Sequence, residues 1–247
     1  MAKDLLIFAD GDVGVSVVSW LAKNHHLDIG LIFTVAENEI SKICIDLGIE
    51  TAVFSSDEKA IAEITERNIS PRLGFLVWWP NIVTAKIISI TDSGLINTHP
   101  SLLPYARGKN YNFWTLVERS PFGVSMHYVE EGIDCGDIVA QRKIEYNWED
   151  TGGTLFKKAK TAMIELFSEN FERLRDMDFV PIEQNISEGT FHFGKEMDVK
   201  SQIFLDDEYS ARNLLNLLRA RTMEGFPACY FYEDDRKYEV RIAVKKL

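Results

Sequence analysis

The stretch LLIFADGDVG, residues 5–14, decides the fold, because a short apolar run leads directly into a turn and a helix. The run Leu5–Ala9 has the length and the continuous apolar character of a strand buried on both faces. Apolar residues then recur at helical spacing over residues 15–21. A buried strand followed by a helix predicts the first half of a parallel βαβ unit.

The same alternation continues to residue 97. Four further apolar runs predict strands, at residues 29–33, 51–54, 74–79 and 95–97. Helical spacing recurs between several of them, and Ser56 is a suitable N-cap for the helix that follows the third strand. The pattern predicts an α/β fold with a Rossmann-like, mostly parallel sheet and helices on both faces.

The pattern changes after Pro104. Two β-runs at residues 123–129 and 138–145 precede a long amphipathic helix over residues 151–176, which Pro181 is expected to terminate. From about residue 182 the sequence predicts a small α+β unit that ends in a β-hairpin. The predicted domains are therefore 1–180 and 181–247.

Composition and charge exclude several classes of protein. Of the 247 residues, 46% are hydrophobic, which is enough for a core and excludes a disordered chain. No apolar run approaches the ~18 residues of a membrane span, and the N-terminus does not resemble a secretory signal. The net charge of −11 disfavours binding to nucleic acid. Three widely spaced cysteines suit a reducing cytoplasm without disulfides, so we expect a cytoplasmic protein without a membrane partner.

The most unusual cluster is the run INTHPSLLP, residues 96–104. Asn97 lies at the end of a predicted parallel strand, where open α/β sheets place ligand-binding groups. His99 points the same way as Asn97 if the chain is still extended. An amide that steadies an oxyanion and an imidazole that handles a proton suit acyl-type transfer. The alternative is that both are polar residues that cap a loop.

A second cluster, GIDCGDIV, covers residues 132–139. Asp134 and Asp137 are three residues apart and are flanked by glycines. Because aspartate and glycine are the commonest turn residues, this segment alone favours an ordinary turn.

Taken together, the clusters resemble the formyltransferase family, whose members use 10-formyltetrahydrofolate as the formyl donor. The resemblance covers residues 1–180. It rests on Asn-x-His-Pro-Ser-Leu-Leu-Pro from Asn97, Gly-Val-x-x-His from Gly123 and Asp-x-Gly-Asp from Asp134. It implies that Asn97, His99 and Asp134 are catalytic and that domain 1–180 is the catalytic domain.

The resemblance also implies where the folate lies. Trp78, Trp79 and Pro80 are expected to line its pocket together with Val129 and Asp134, although one of the two tryptophans is expected in the core.

Histidine and aspartate side chains near the site raise the question of a metal. His127 is interpreted as a packed histidine. Zinc accepts such ligands as His99, His127, Asp134 and Asp137. Because the family is independent of metals, no metal site is predicted.

Substrate contacts are expected at three places. Gly11 and Asp12 lie where a phosphate-binding turn would precede a helix, but the carboxylates here would repel phosphate, so a tight turn is the alternative. The full dinucleotide fingerprint is absent, which disfavours NAD. Arg107, Lys109 and Asn110 are candidates for diphosphate or sugar contacts, with a helix start as the alternative. Tyr230 is a further candidate.

Length and charge separate the branches of the family. The methionyl-tRNA branch should carry a longer, more basic C-terminal barrel, and the glycinamide ribonucleotide branch typically ends soon after the long helix. The endings Arg219–Thr222, Phe226–Phe231 and Lys237–Ile242 resemble the branch that acts on nucleotide-linked amino sugars.

The predicted function is therefore a sugar N-formyltransferase in O-antigen or cell-surface polysaccharide synthesis. The predicted acceptor is a dTDP-linked amino-dideoxyhexose, with 4-amino-4,6-dideoxyglucose preferred. The hairpin should need a partner surface, because an isolated two-stranded hairpin is marginal in water, so a homodimer is expected. Alternatives are the 3-amino isomer, glycinamide ribonucleotide, methionyl-tRNA, or a non-catalytic nucleotide-binding α/β module.

Overall fold

Strands and helices alternate through the first hundred residues, as the sequence predicts, in a computed structural model that describes residues 3–247. In chain order the strands are β1 (Leu5–Ala9), β2 (Ile29–Thr34), β3 (Thr51–Val53), β4 (Leu73–Val77), β5 (Leu95–His99), β6 (Arg107–Gly108), β7 (Gly123–Tyr128), β8 (Ile138–Lys143), β9 (Phe191–His192), β10 (Cys229–Glu233) and β11 (Arg236–Val240). The helices are α1 (Gly11–Asn24), α2 (Glu39–Asp46), α3 (Asp57–Glu66), α4 (Ala85–Ile88), α5 (Tyr111–Glu118), α6 (Gly152–Arg175), α7 (Gly194–Lys200) and α8 (Ala211–Ala220).

Seven of the strands form one sheet, in the order β3-β2-β1-β4-β5-β7-β8. Strands β1 to β5 pair in parallel with their neighbours, and β7 pairs antiparallel with β5. The predicted mostly parallel α/β sheet is confirmed. Two further pairs, β6–β9 and the hairpin β10–β11, lie outside this sheet.

The chain divides into two compact units. Unit 1 comprises residues 3–99, 125–140 and 163–183, and unit 2 comprises residues 100–124, 141–162 and 184–247. Because the chain passes repeatedly from one unit to the other, these units differ from a single division near residue 180, which stays a prediction.

Both faces of the sheet in unit 1 carry apolar side chains that helices cover. On one face, Phe8 and Leu76 belong to a core cluster with Ala60 and Ile64 of α3. On the other face, the ring of Phe75 lies 5.3 Å from that of Phe167 on α6. Since successive residues of a strand alternate between faces, a continuous apolar run is what two covered faces require.

Several element ends differ from the sequence prediction for identifiable reasons. Strand β4 stops at Val77 because Trp78 has a left-handed φ of 54°, which a strand does not accommodate. Strand β5 runs on to His99 because it pairs there with β7. Helix α6 ends at Arg175, well before Pro181, and Met177 with φ 57° follows its end.

The predicted C-terminal hairpin is confirmed. Asp234 and Asp235 join its strands with φ values of 45° and 60°, as a type I′ turn requires. Within residues 3–247, none of the helices combines the length and apolar character that crossing a membrane needs.

Candidate active site

Strand β5 presents Asn97 and His99 on the same side, with Thr98 between them on the other side. The Thr98 hydroxyl accepts a hydrogen bond from the Trp78 amide and donates one to the Leu76 carbonyl, each at 3.0 Å. These bonds fasten the end of β5 to the end of β4, at the carboxyl edge where α/β sheets bind ligands.

Asp134 reaches both residues from the loop that follows β7. Its Oδ2 lies 3.4 Å from His99 Nδ1, and its Oδ1 lies 3.5 Å from Asn97 Nδ2. The Asp134 backbone has a left-handed φ of 54°, an uncommon conformation that is often found where a side chain must be aimed. The structure therefore brings together Asn97, His99 and Asp134.

His127 is a fourth member of this cluster. It lies directly opposite Asn97 on β7. Its Nδ1 is 2.7 Å from the Tyr128 carbonyl oxygen, which can only accept, so Nδ1 carries a proton. Its Nε2 accepts from Asn97 Nδ2 at 3.2 Å and lies 3.6 Å from Asp134 Oδ1. The sequence predicts a packed histidine, and His127 is indeed only 2% exposed, but the contact with Asn97 was missed.

The cluster has the components of acyl-transfer chemistry. His99 is 5% exposed, so its contact with the Asp134 carboxylate is shielded from water and is stronger than it would be at the surface. The carboxylate faces Nδ1 and favours a proton there, which makes Nε2 the nitrogen that can exchange a proton with a reactant. The amide of Asn97 adds a neutral hydrogen-bond donor beside it.

Trp78 and Trp79 have different surroundings. The ring of Trp79 lies 5.5 Å from both Phe8 and Phe54, so Trp79 is the tryptophan expected in the core. The indole of Trp78 lies over Gly11, where a Cβ would approach Trp78 Cδ1 to 3.3 Å. Trp78 remains half-buried at the sheet edge.

The two other expected folate contacts also lie in unit 1. Pro80 is exposed. Val129 is half-buried, and its amide donates to the Leu95 carbonyl at 2.8 Å.

The start of α1 carries the first pair of expected substrate contacts. Gly11 and Asp12 are both exposed, and Gly11 has a left-handed φ of 62°. Asp10 accepts a hydrogen bond from Asn38 at 3.4 Å, so its carboxylate is already engaged. Only Asp10 separates the end of β1 from the start of α1, so the connection that holds Gly11 and Asp12 is short.

The remaining expected substrate contacts belong to unit 2. Arg107 lies on β6, with its guanidinium carbon 6.0 Å from the centre of the Phe191 ring, and Lys109 is exposed. Asn110 precedes α5 and donates to the Gly194 carbonyl, so a helix does start here. Tyr230 on β10 has Lys237 Nζ 4.0 Å above its ring.

Residues 3–247 contain no group of three or more histidine, cysteine, aspartate or glutamate side chains that could hold a metal ion.

Two family models match the chain. The formyl transferase model covers residues 18–170, and the model of the N-formyltransferase dimerization C-terminal domain covers residues 196–246. The matched ranges lie on either side of residue 180.

Solved structures share the fold over nearly the whole chain. A 4-N formyltransferase from Francisella tularensis is 22% identical with a TM-score of 0.83, and the match covers 99% of each chain. A sugar N-formyltransferase from a Shewanella species is 21% identical with a TM-score of 0.81, covering 99% of this chain and 98% of that one. An N-formyltransferase from Helicobacter canadensis, in complex with folinic acid and dTDP-3-aminofucose, is 18% identical with a TM-score of 0.76. The match covers 95% of this chain and 85% of that one.

Proposed function

The chain belongs to the formyl transferase family, and we propose that it moves a formyl group from 10-formyltetrahydrofolate to the amine of a dTDP-linked amino sugar. The observation that carries this is the cluster at the sheet edge in which the half-buried Asn97 and Asp134 contact each other and Asp134 contacts the buried His99. The match to the N-formyltransferase dimerization domain supports the sugar branch and a homodimer. The Helicobacter protein, with its folinic acid and dTDP-3-aminofucose, supports both substrate classes.

The finer assignment is dTDP-4-amino-4,6-dideoxyglucose, made for O-antigen or another cell-surface polysaccharide. The similarity to the Francisella 4-N formyltransferase favours the 4-amine over the 3-amine. The acceptor amine must be neutral when it attacks the formyl carbon, because only the neutral form has a lone pair.

His99 and Asp134 remove the proton from the attacking amine. Attack makes the amine nitrogen positive, and that nitrogen must lose a proton before the amide is complete. His99 Nε2 takes this proton, directly or through water, while Asp134 holds Nδ1 in the protonated tautomer and stabilises the imidazolium. The bond from the formyl carbon to the folate nitrogen then breaks, and that nitrogen leaves as the amine of tetrahydrofolate after it has received the proton. A general base of this kind contributes ~10²–10⁴ in rate.

Asn97 acts on the oxygen. Its amide nitrogen carries two hydrogens, one of which is directed at His127 Nε2 at 3.2 Å. The nitrogen itself lies 3.5 Å from Asp134 Oδ1, at the outer limit of a hydrogen bond, so its second hydrogen is the one available to the developing oxyanion. Losing such a donor costs ~10²–10³ in turnover.

The residues at the sheet edge fit a folate. A pterin is flat and needs an aromatic or apolar surface, which the half-buried Trp78 offers at the end of β4. Val129 and Asp134 lie after β7, and Pro80 follows the tryptophans. Trp79 packs on Phe8 and Phe54 in the core, so it is assigned to packing behind the folate pocket and not to contact with the pterin.

The acceptor contacts follow from polarity. Arg107, Lys109 and Asn110 supply the cationic and amide groups that suit a diphosphate, and Tyr230 supplies a ring on which a base can stack. Gly11 and Asp12 are assigned to the sugar rather than to a phosphate, because a carboxylate accepts hydrogen bonds from hydroxyl groups and repels phosphate.

Mass spectrometry on a panel of acceptors tests this function. The protein is incubated with 10-formyltetrahydrofolate and with dTDP-, UDP- and GDP-linked 3-amino and 4-amino sugars. The dTDP-linked 4-amino sugar should gain one formyl group fastest, whereas the matching sugar with a hydroxyl in place of the amine should gain none. Formylation of glycinamide ribonucleotide with no formylation of any amino sugar would contradict the assignment.

A further inference from the structure

His192 in unit 2 contacts two carboxylates and the ring of a tryptophan. Its Nε2 lies 2.6 Å from Glu118 Oε1 and its Nδ1 lies 2.9 Å from Glu196 Oε2. The ring stacks on Trp114 with centroids 3.6 Å apart and an interplanar angle of 7°. Its side chain is only 12% exposed.

The geometry favours the imidazolium form. A neutral ring has one donor and one lone pair, so one of the two carboxylates would face a lone pair. With both nitrogens protonated, the cation donates to a carboxylate on α5 and to one on α7, and it also gains a favourable contact with the indole face. The hydrogen bond from His192 correspondingly lowers the pKa of the Glu196 carboxyl.

His192 belongs to strand β9, which is hydrogen-bonded to the segment 107–110. Strand β9 pairs in parallel with β6, so that the Arg107 amide donates to the Thr190 carbonyl at 2.9 Å and the Lys109 amide to the His192 carbonyl at 3.0 Å. The second oxygen of Glu118 accepts from the Thr190 hydroxyl at 2.7 Å, which holds the same strand at a further point.

Two glycines allow the close approach of these segments. Gly108 has a φ of 84°, and a Cβ there would clash with the His192 carbonyl oxygen. A Cβ at Gly189 would clash with the Pro104 carbonyl oxygen. Residues 189–192 therefore lie directly against the chain between residues 104 and 109, the part that follows the loop from His99.

We propose that His192 is a positioning residue, whose charged contacts with Glu118 and Glu196 hold β9 and thereby set the segment Arg107–Asn110 for the sugar nucleotide. The link from this segment to the acceptor rests on the proposed function. His192 itself touches no reacting atom, and it acts through backbone hydrogen bonds to Arg107 and Lys109.

Three variants separate positioning from stability. His192→Gln removes the charge, one of the two carboxylate contacts and the ring stack. Glu196→Gln removes one charge from a partly exposed side chain and is the milder change. His25→Gln is the matched control, because His25 also contacts an aromatic ring, at 4.6 Å from Phe171, and a carboxylate, at 3.7 Å from Asp28, but it lies in unit 1.

The first readout is hydrogen exchange, which needs no substrate. The amides of Arg107 and Lys109 should exchange about tenfold faster in His192→Gln than in the wild type, and at the wild-type rate in His25→Gln. Unchanged exchange at these two amides in both His192→Gln and Glu196→Gln would overturn the inference, whether or not the protein formylates a sugar.

The second readout is steady-state kinetics with the acceptor that the panel identifies. His192→Gln should raise the KM for the sugar nucleotide about tenfold, equivalent to about 1.4 kcal/mol, while the KM for 10-formyltetrahydrofolate and kcat stay near wild type.

The outcomes of the kinetic test are distinct. If the wild type formylates no amino sugar, the proposed function fails. Hydrogen exchange at Arg107 and Lys109 then decides by itself whether the contacts of His192 position the segment 107–110. If the wild type does formylate an amino sugar, and His192→Gln only lowers the melting temperature or raises both KM values equally, the residue has a structural role and the inference fails.

Discussion

At the residue scale, the cluster of Asn97, His99 and Asp134 depends on a chain of hydrogen bonds that begins outside these three residues. The Tyr128 carbonyl fixes the His127 tautomer, and His127 Nε2 in turn fixes which end of the Asn97 amide faces the cluster. The orientation of the Asn97 amide is therefore set by a residue on the neighbouring strand. Buried polar networks of this type specify one geometry when every member is satisfied.

His127→Phe should lower kcat by about tenfold to a hundredfold, because Asn97 loses the acceptor that orients it. The KM values for both substrates should stay near wild type, and steady-state kinetics measure both effects. His127→Gln, which retains an acceptor, should recover part of the activity. His26→Phe, on an exposed side chain, serves as the control. A wild-type kcat in His127→Phe would show that Asn97 does not depend on this contact.

The cluster of Asn97, His99 and Asp134 was predictable from sequence, and its surroundings were not. Asn97 and His99 stand at the end of a predicted strand, whereas Asp134 follows from the resemblance to formyltransferases, because its own segment favours an ordinary turn. The contact of His127 with Asn97 depends on the register of β5 against β7, which no local pattern encodes. The left-handed backbone of Trp78 was likewise hidden, because the apolar run suggests that the strand continues through it.

At the element scale, the strands and helices with strong periodicity were predictable, and the short elements were not. Helices α1, α2, α3, α6 and α8 follow their apolar spacing closely. Strands β6 and β9 have two residues each and exist only because distant segments meet. Their sequences carry too few residues for any periodicity, so pairing across the fold alone defines them.

Gly123 on β7 tests how closely the strands must approach. A Cβ there would clash with the backbone carbonyl of Arg142 on β8 and would lie 2.9 Å from Leu102 Cδ1. Gly123→Ala should lower the free energy of unfolding by about 2–3 kcal/mol, because backbone cannot move aside as a side chain can. Urea unfolding measures the change.

Gly48→Ala is the control for Gly123. Gly48 has a left-handed φ of 67°, which a residue with a side chain adopts only with strain. A Cβ at Gly48 would have no other atom within 4 Å. The free energy of unfolding of Gly48→Ala should fall only by the cost of placing alanine in the left-handed region, about 1 kcal/mol. A loss in Gly123→Ala no larger than this would contradict the close packing of β7 on β8.

Asp150, which precedes α6, should make the stability of the fold depend on pH in the acid range. Burial alone would raise the pKa of the Asp150 carboxyl, but hydrogen bonds from Lys158, the Asn147 amide and Thr154 bring it below its usual value. A carboxyl with a lowered folded-state pKa stabilises the fold above its unfolded pKa of about 4 and loses that contribution as the pH falls through the folded value.

Asp150→Asn should therefore be less stable than wild type by about 1–2 kcal/mol at pH 7, and the difference should shrink as the pH falls below about 4. Urea unfolding at several pH values measures this difference. The exposed Asp207, changed to Asn, provides the control and should show almost no difference at any pH. A constant difference for Asp150→Asn from pH 7 downward would mean that its charge does not stabilise the helix start.

At the scale of the whole molecule, the hairpin β10–β11 carries aromatic side chains that its own unit leaves exposed. Tyr232 is 52% exposed and Tyr238 is 42% exposed. These residues lie in the range that matches the N-formyltransferase dimerization domain. An exposed aromatic surface in such a domain is suited to burial against a second copy of the chain.

Analytical ultracentrifugation should accordingly find a dimer at micromolar concentration. Tyr232→Glu should shift it toward monomer, because a buried interface penalises an unpaired charge. Ile45→Glu, on a 70% exposed side chain of α2, should leave the dimer intact. A wild-type protein that sediments only as a monomer would remove the role assigned to the hairpin.

The turnover of His99→Ala is the most direct test of formyl transfer by the cluster at the sheet edge. With both substrates saturating, its kcat should fall by at least ~10² relative to wild type, while calorimetry finds the dTDP-sugar bound almost as tightly. Asn97→Ala and Asp134→Ala should show comparable losses that do not add in the triple variant, because the three act as one unit. A His99→Ala protein with near-normal turnover would contradict the mechanism.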